Sequence, residues 1–129
     1  MIPLLPKAIA QKYGIDFAIA FGSQVSGQTH AESDLDLAVH SSKNPSLKEE
    51  LHLLSELSAF YSKEVDLCWI NENVSALLYG EWAKNSQLLY GNEEDYQVFC
   101  IEALKKFLDF EPYFKLQEQA LQERLRQLS

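Results

Sequence analysis

The stretch Phe21-Gly22-Ser23, followed after ten residues by Asp34-Leu35-Asp36, decides the fold of this chain. A strand that ends in Gly-Ser can offer backbone N–H groups and a hydroxyl to a phosphate group. Two carboxylates spaced two residues apart on the next strand point to the same face of a sheet. The stretch therefore predicts two neighbouring strands that end in a phosphate- and cation-binding site.

Alternating and helical hydrophobic patterns extend outward from this stretch on both sides. We expect helices up to Tyr13, over residues 47–61, over 74–84 and from 93 to about 128, with a break or kink near Pro112. We expect strands over residues 15–21, 33–39, 64–70 and 87–90, with a turn or single helical turn from residue 24 to 29. The order predicts an α/β (α+β) fold in which helices flank a small mixed β-sheet.

Large and small side chains alternate along the first strand. Ile15, Phe17, Ile19 and Phe21 would share one face, and Ala18 and Ala20 the other, where something else could come close. In the second and third strands, apolar residues alternate with acids. Asp34 and Asp36 lie opposite a row of leucines, and Asp66 lies on the less bulky side of its own strand.

Three carboxylates on one sheet face would repel one another unless a cation lies between them. Oxygen ligands beside a phosphate suit Mg²⁺, which keeps several waters and needs few protein carboxylates. We expect Asp34, Asp36 and Asp66 to bind metal and act in catalysis, with room for a second ion. Asp66 is the candidate to deprotonate an acceptor hydroxyl, while Gly22 and Ser23 hold the phosphates.

Composition restricts the other function classes. The chain has 129 residues and a net charge of −8, which fits one domain and disfavours DNA or RNA binding. Cys68 and Cys100 show no disulfide or zinc spacing, so reduced thiols in the cytoplasm are expected. No apolar run reaches the roughly 18 residues of a membrane span, so no membrane association is expected.

Phe21-Gly22-Ser23 and Ser33-Asp34-Leu35-Asp36-Leu37 resemble the signature of the DNA polymerase beta-like nucleotidyltransferase superfamily, in its minimal nucleotidyltransferase (MNT) branch. The resemblance covers most of the chain, as a single domain over 1–129 with a C-terminal helical segment from about residue 93. It implies an antitoxin paired with a HEPN-family ribonuclease toxin. Such an antitoxin is a Mg-dependent protein adenylyltransferase that moves AMP from ATP onto a toxin tyrosine and forms a hetero-oligomer with the toxin.

One residue departs from the superfamily pattern, because many relatives have arginine after Gly-Ser where this chain has Gln24. Neutralisation of the phosphates is then left to metal or to a lysine elsewhere. Lys43, Lys63 and Lys84 are candidates that spacing does not separate. His40 is the histidine that could approach the site, but it receives no role.

Two alternative functions stay open at this point. The same fold could act on a small hydroxylated molecule or an RNA end, or the chain could be a non-catalytic antitoxin that covers its toxin. The C-terminal segment is also open to two interpretations, since its aromatic residues could pack on the sheet or dock a partner. These aromatic residues are Phe99, Phe107, Phe110, Tyr113 and Phe114.

Overall fold

A mixed four-stranded sheet lies at the centre of the computed structural model, which describes residues 1–26, 34–71 and 73–128, with Ser23 described by its backbone only. In chain order the elements are α1 (Lys7–Tyr13), β1 (Ile15–Phe21), α2 (Ser23–Ser26), β2 (Leu35–Ser41), α3 (Leu47–Tyr61), β3 (Val65–Trp69), α4 (Ala76–Lys84), β4 (Ser86–Tyr90) and α5 (Glu93–Leu128). The expected fold class, a small mixed sheet with flanking helices and a long C-terminal helix, is confirmed.

The strand order in the sheet is β3-β2-β1-β4. β1 runs antiparallel to both β2 and β4, whereas β2 and β3 are parallel and are joined by α3. A parallel pair needs such a crossover because its second strand must start at the same end as its first. The end of β1 and the starts of β2 and β3 therefore lie together at one end of the sheet.

Local signals set several element ends. Gly14 ends α1 with a φ of 66°, in the left-handed region that glycine adopts without strain. Ser46 starts α3 with a capping box: its side chain accepts from the Glu49 N–H, and the Glu49 carboxylate accepts from the Ser46 N–H. Both ends lie where the sequence predicts them.

The sheet buries both of its faces. On one face, Ala18 and Ala20 of β1 and the leucines of β2 pack under α1 and α3, with Leu53 and Leu57 at the centre. On the other face, β1 residues Ile19 and Phe21 and β2 residue Ala38 pack under Tyr79 and Trp82 of α4 and Ala103 of α5. This second face is the one that carries Asp36 and Asp66.

The predicted faces of β1 are partly wrong. The register shifts between Ile15 and Phe17, so Ile15 joins the core of Ala18 and Ala20, while Phe17 stays with Ile19. A bulge adds one residue to a strand and resets its alternation. The small side chains of Ala18 and Ala20 do let other elements come close, because α1 and α3 pack on this face and bury both alanines completely.

Other element bounds differ by a few residues from the prediction. β2 starts at Leu35, and residue 33, where we expected it to start, lies outside the described ranges. α4 starts at Ala76 because the Ser75 side chain caps it by accepting from the Leu78 N–H. The expected turn over 24–29 begins as α2, with residues 27–29 not described; residue 129 of the expected domain is likewise not described.

The sequence predicts a break or kink near Pro112. There is no break, because α5 continues through Pro112 from Glu93 to Leu128. Strong helix formers on both sides offset the hydrogen bond that proline removes. Only the first half of α5 packs on the sheet and α4. The second half exposes a row of large apolar side chains, namely Phe110, Tyr113, Leu116, Leu121, Leu125 and Leu128.

Two further expectations concern the cysteines and the helices. Cys68 and Cys100 are not bonded to each other, and both are partly buried. In the part of the chain that the structure describes, no helix combines the length and apolarity that crossing a membrane requires.

The core under α3 gives a stability prediction. Leu57→Ala should lower the free energy of unfolding by about 2–5 kcal/mol, because Leu57 is fully buried and the substitution leaves a cavity. Leu51→Ala on the same helix is the matched control, since Leu51 is 57% exposed and should cost less than about 1 kcal/mol. Urea denaturation followed by circular dichroism measures both; equal losses would contradict this packing of α3.

Candidate functional site

Gly22 brings the backbone against a carboxylate at the end of β1. Its φ of 81° lies in the left-handed region, and its carbonyl accepts from the Val25 N–H at 3.1 Å as α2 begins. A Cβ atom added at Gly22 would overlap Oδ2 of Asp36. Only glycine permits both the backbone conformation and this close approach.

Asp36 and Asp66 lie side by side on adjacent strands. They are register partners in the parallel β2–β3 ladder, so their side chains project from the same face of the sheet. Asp36 is also the partner of Phe21, the residue before Gly22. Asp36 is partly buried, while Asp66 is exposed. The structure thus brings together two of the three predicted carboxylates and the predicted glycine.

The third predicted carboxylate, Asp34, is exposed and lies one residue before β2. Its charge still acts on Asp36. Burial raises the pKa of the Asp36 carboxyl above its usual value, and the negative charges of Asp66, Glu81 and Asp34 raise that pKa further, in this order. Each cause disfavours the ionised form, so the site is a region of concentrated negative potential.

Glu81 is the acid that the sequence did not single out. It lies exposed on α4, between the buried Tyr79 and Trp82, and its charge reaches Asp36. The helical pattern of α4 predicts which residues are buried. It does not tell which end of the sheet the helix crosses, and no other signal in the sequence places Glu81 beside Asp36.

The donor set fits a hydrated divalent ion. Carboxylate oxygens are the ligands that Mg²⁺ prefers, and the ion usually keeps most of its waters and binds one or two carboxylates. Within residues 1–26, 34–71 and 73–128, no three His, Cys, Asp or Glu side chains are grouped as a ready-made metal cluster.

Ser23 is the first residue of α2, directly after Gly22. The prediction that its hydroxyl binds phosphate falls on a side chain that the structure does not describe.

His40 lies at the opposite end of the sheet from Asp36. It pairs with Phe17 across the β1–β2 ladder, and its Nδ1 lies 2.7 Å from Oδ1 of Asp16. These two side chains line a separate cleft of about 440 Å³. His40 therefore does not join the carboxylates, which agrees with giving it no role.

Comparison with known proteins gives one family. A family model described as "Polymerase beta, Nucleotidyltransferase" matches residues 6–95. No curated protein sequence matches the chain.

Solved structures of low sequence identity share the fold. A toxin–antitoxin crystal structure with AMP-PNP is 19% identical with a TM-score of 0.66, over 92% of this chain and 94% of that one. A complex of a tri-AMPylated Shewanella oneidensis HEPN toxin with an MNT antitoxin is 16% identical with a TM-score of 0.59, over 92% and 91%. An MntA–HepT toxin–antitoxin structure is 16% identical with a TM-score of 0.60, over 92% of each.

The electrostatics of Asp36 give a prediction for stability against pH. Because the pKa of folded Asp36 lies above its ordinary value of 3.8, the folded state holds this proton more tightly, and stability falls as pH rises between the two values. Asp36→Asn removes that loss. The free energy of unfolding of Asp36→Asn minus that of the wild type should therefore be larger at about pH 7 than at about pH 3, without divalent ions.

Urea denaturation at both pH values measures this difference. Asp109→Asn, at an exposed acid on α5, is the control for the loss of one negative charge. If Asp36→Asn and Asp109→Asn changed stability equally at each pH, the inference that burial and neighbouring charges raise the pKa of Asp36 would be wrong.

Proposed function

Because the chain belongs to the polymerase beta nucleotidyltransferase family, we propose that it is an antitoxin that transfers AMP from ATP to a tyrosine hydroxyl of a cognate HEPN ribonuclease toxin in the cytoplasm. The pairing of Asp36 and Asp66 beside Gly22 is the observation that carries the proposal. The complexes with AMP-PNP and with an AMPylated toxin support the choice of donor and partner.

Asp34, Asp36 and Asp66 are the residues that would hold Mg²⁺ in this proposal, with two ions at full occupancy. Bound Mg²⁺ would neutralise phosphate charge and polarise the α-phosphate. It would also remove the repulsion that now raises the pKa of Asp36. The acids are therefore explained by a cation-dependent function, whereas a purely covering protein gains nothing from them.

The chain's own groups have distinct roles in the transfer. Gly22, with no side chain, lets the triphosphate approach the backbone, and Ser23 follows it at the start of α2. The tyrosine oxygen forms a bond to the α-phosphorus, the bond from that phosphorus to the β-phosphate oxygen breaks, and pyrophosphate leaves with the electron pair. The hydroxyl proton passes to Asp66, which is exposed and so within reach of a partner's side chain.

Label transfer tests this function. The chain, the candidate toxin, Mg²⁺ and α-labelled ATP should give labelled toxin, and Asp36→Asn or Asp66→Asn should lower the rate by at least about 100-fold. Asp16→Asn is the matched control, because Asp16 lies at the opposite end of the sheet beside His40. It should leave the rate within about twofold of the wild type.

The same assay separates the alternatives. A wild-type chain that transfers no label yet silences the toxin would show a non-catalytic antitoxin. Transfer to a small hydroxylated compound or an RNA end, with none to the toxin, would keep the reaction class and exclude the protein substrate. Toxin that binds to Asp36→Asn but stays unlabelled would support catalysis over occlusion.

The second half of α5 is the surface that we propose for the toxin in a hetero-oligomer. Its exposed apolar row, from Phe110 to Leu128, extends beyond the part of α5 that packs on the sheet. A large exposed apolar patch usually marks a protein interface. Of the C-terminal aromatic residues, Phe99 is partly buried and packs against the core, whereas Phe110 and Tyr113 are exposed.

A double substitution tests this surface. Leu121→Glu with Leu125→Glu should weaken toxin binding by at least about tenfold, because both leucines are 58% exposed and would lose apolar contact. Binding of AMP-PNP should not change. Gln119→Glu with Gln122→Glu is the control with the same added charge. Unchanged toxin affinity of the leucine variant, measured by calorimetry, would exclude this surface.

A further inference from the structure

The sheet has two edge strands, β4 and β3, which differ in what lies along their outer sides. The N-terminal segment follows the outer side of β4, where the Leu5 N–H donates to the Leu89 carbonyl at 3.0 Å. The side-chain amide of Gln87 also donates to the Ile2 carbonyl at 2.7 Å and accepts from the Ile2 N–H at 3.2 Å. The chain itself therefore covers part of this edge, as stable proteins often do.

The backbone groups of β3 point alternately to β2 and to the outer side. The Glu64 carbonyl accepts from the Leu35 N–H at 2.9 Å, and the Ile70 N–H donates to the Val39 carbonyl at 2.8 Å. Because the N–H and C=O groups of a strand alternate in direction, even-numbered residues along β3 point to β2 and odd-numbered residues point outward. The residues that point outward are Val65, Leu67 and Trp69.

The outer side of β3 is open within the part of the chain that the structure describes. No described residue makes a hydrogen bond to the N–H groups of Leu67 and Trp69. β3 contains no proline, and its register with β2 runs from Val65 to Trp69 without a shift. Since prolines and bulges are common means of blocking an edge strand, β3 keeps the regular geometry that an added strand requires.

A strand added to β3 would bring one side chain directly beside Asp66. Paired residues on neighbouring strands project from the same face of a sheet, with Cβ atoms about 4.5–5.5 Å apart. A tyrosine paired with Asp66 would therefore have its ring on the face that carries Asp36 and Asp66. Cys68 and Ile70, further along this face, pack against the core under α4 and α5, whereas Asp66 is exposed. The accessible part of the face is thus at Asp66.

We propose that the outer side of β3 binds the acceptor segment of the toxin as an added, extended strand, with the acceptor tyrosine paired with Asp66. This inference rests on the proposed function and adds to it the conformation of the protein substrate. Tyrosine is among the residues that favour strands. The residues next to the tyrosine would pair with Val65 and Leu67, which lie on the apolar face under α3. We therefore expect apolar residues on both sides of the tyrosine.

Amide hydrogen exchange, resolved by NMR spectroscopy, tests the added strand directly. In the free chain, exchange should be fast at Leu67 and Trp69, which point outward, and slow at Cys68 and Ile70, which point to β2. Addition of the candidate toxin without ATP should slow exchange at Leu67 and Trp69 by at least about tenfold. Exchange at Cys68 and Ile70 is the internal control and should change much less.

A proline at position 67 tests the same contact by its effect on the reaction. Leu67→Pro removes an N–H that points away from β2, and an edge strand tolerates proline at such a position. Leu67→Ala is the matched control, because it shortens the same side chain and keeps the N–H. Label transfer at subsaturating toxin should be about tenfold slower for Leu67→Pro than for Leu67→Ala. Calorimetry should give both variants the same affinity for AMP-PNP with Mg²⁺.

The outcomes distinguish this proposal from the function on which it rests. Equal label transfer by the two folded Leu67 variants, or labelled toxin with unchanged exchange at Leu67 and Trp69, would overturn strand addition and leave the function standing. Slowed exchange at these amides without label transfer by the wild type would support strand addition and contradict the transferase function. A toxin that neither binds nor is labelled overturns both. Circular dichroism melting shows whether Leu67→Pro is folded; if it is not, exchange in the wild type decides.

Discussion

The close contact between the Gly22 backbone and the Asp36 carboxylate is the constraint on which the rest of the site depends. It requires a positive φ at the end of β1, and it fixes how near the first turn after the strand lies to the acids of β2. The β2–β3 register then places Asp66 next to Asp36. The Gly22 backbone and the paired carboxylates of Asp36 and Asp66 thus lie together at one end of the sheet.

The concentration of negative charge at this end of the sheet destabilises the folded state. Asp36 is partly buried beside other negative groups, and burial and repulsion both act against its ionised form. The large apolar cores on the two sheet faces offset this loss. Fold stability therefore comes from residues that have no part in the chemistry, which is common where a site concentrates like charge.

Much of the fold follows from local patterns in the sequence. The bounds of β1 and α3 agree with the prediction because alternation, Gly14 and the Ser46 cap are short-range signals. The bulge after Ile15, by contrast, depends on pairing with β2, which no local pattern contains. Glu81 was missed for a similar reason, since its proximity to Asp36 depends on how α4 crosses the sheet. The pairing of Asp36 with Asp66 is also a long-range feature. The alternation within each strand predicted the face on which each acid lies, but not the register that makes them neighbours.

Pro112 gives α5 a mechanical property. Because proline has no N–H, the carbonyl of Leu108 lacks its usual partner four residues on, and the helix bends most easily there. The 36 residues of α5 extend over about 54 Å at 1.5 Å per residue. Pro112 lies at the boundary between the half of α5 that packs on the sheet and the half that is exposed. A bend at Pro112 would redirect the exposed second half of α5 without disturbing the first half, which packs Ala103 against the sheet.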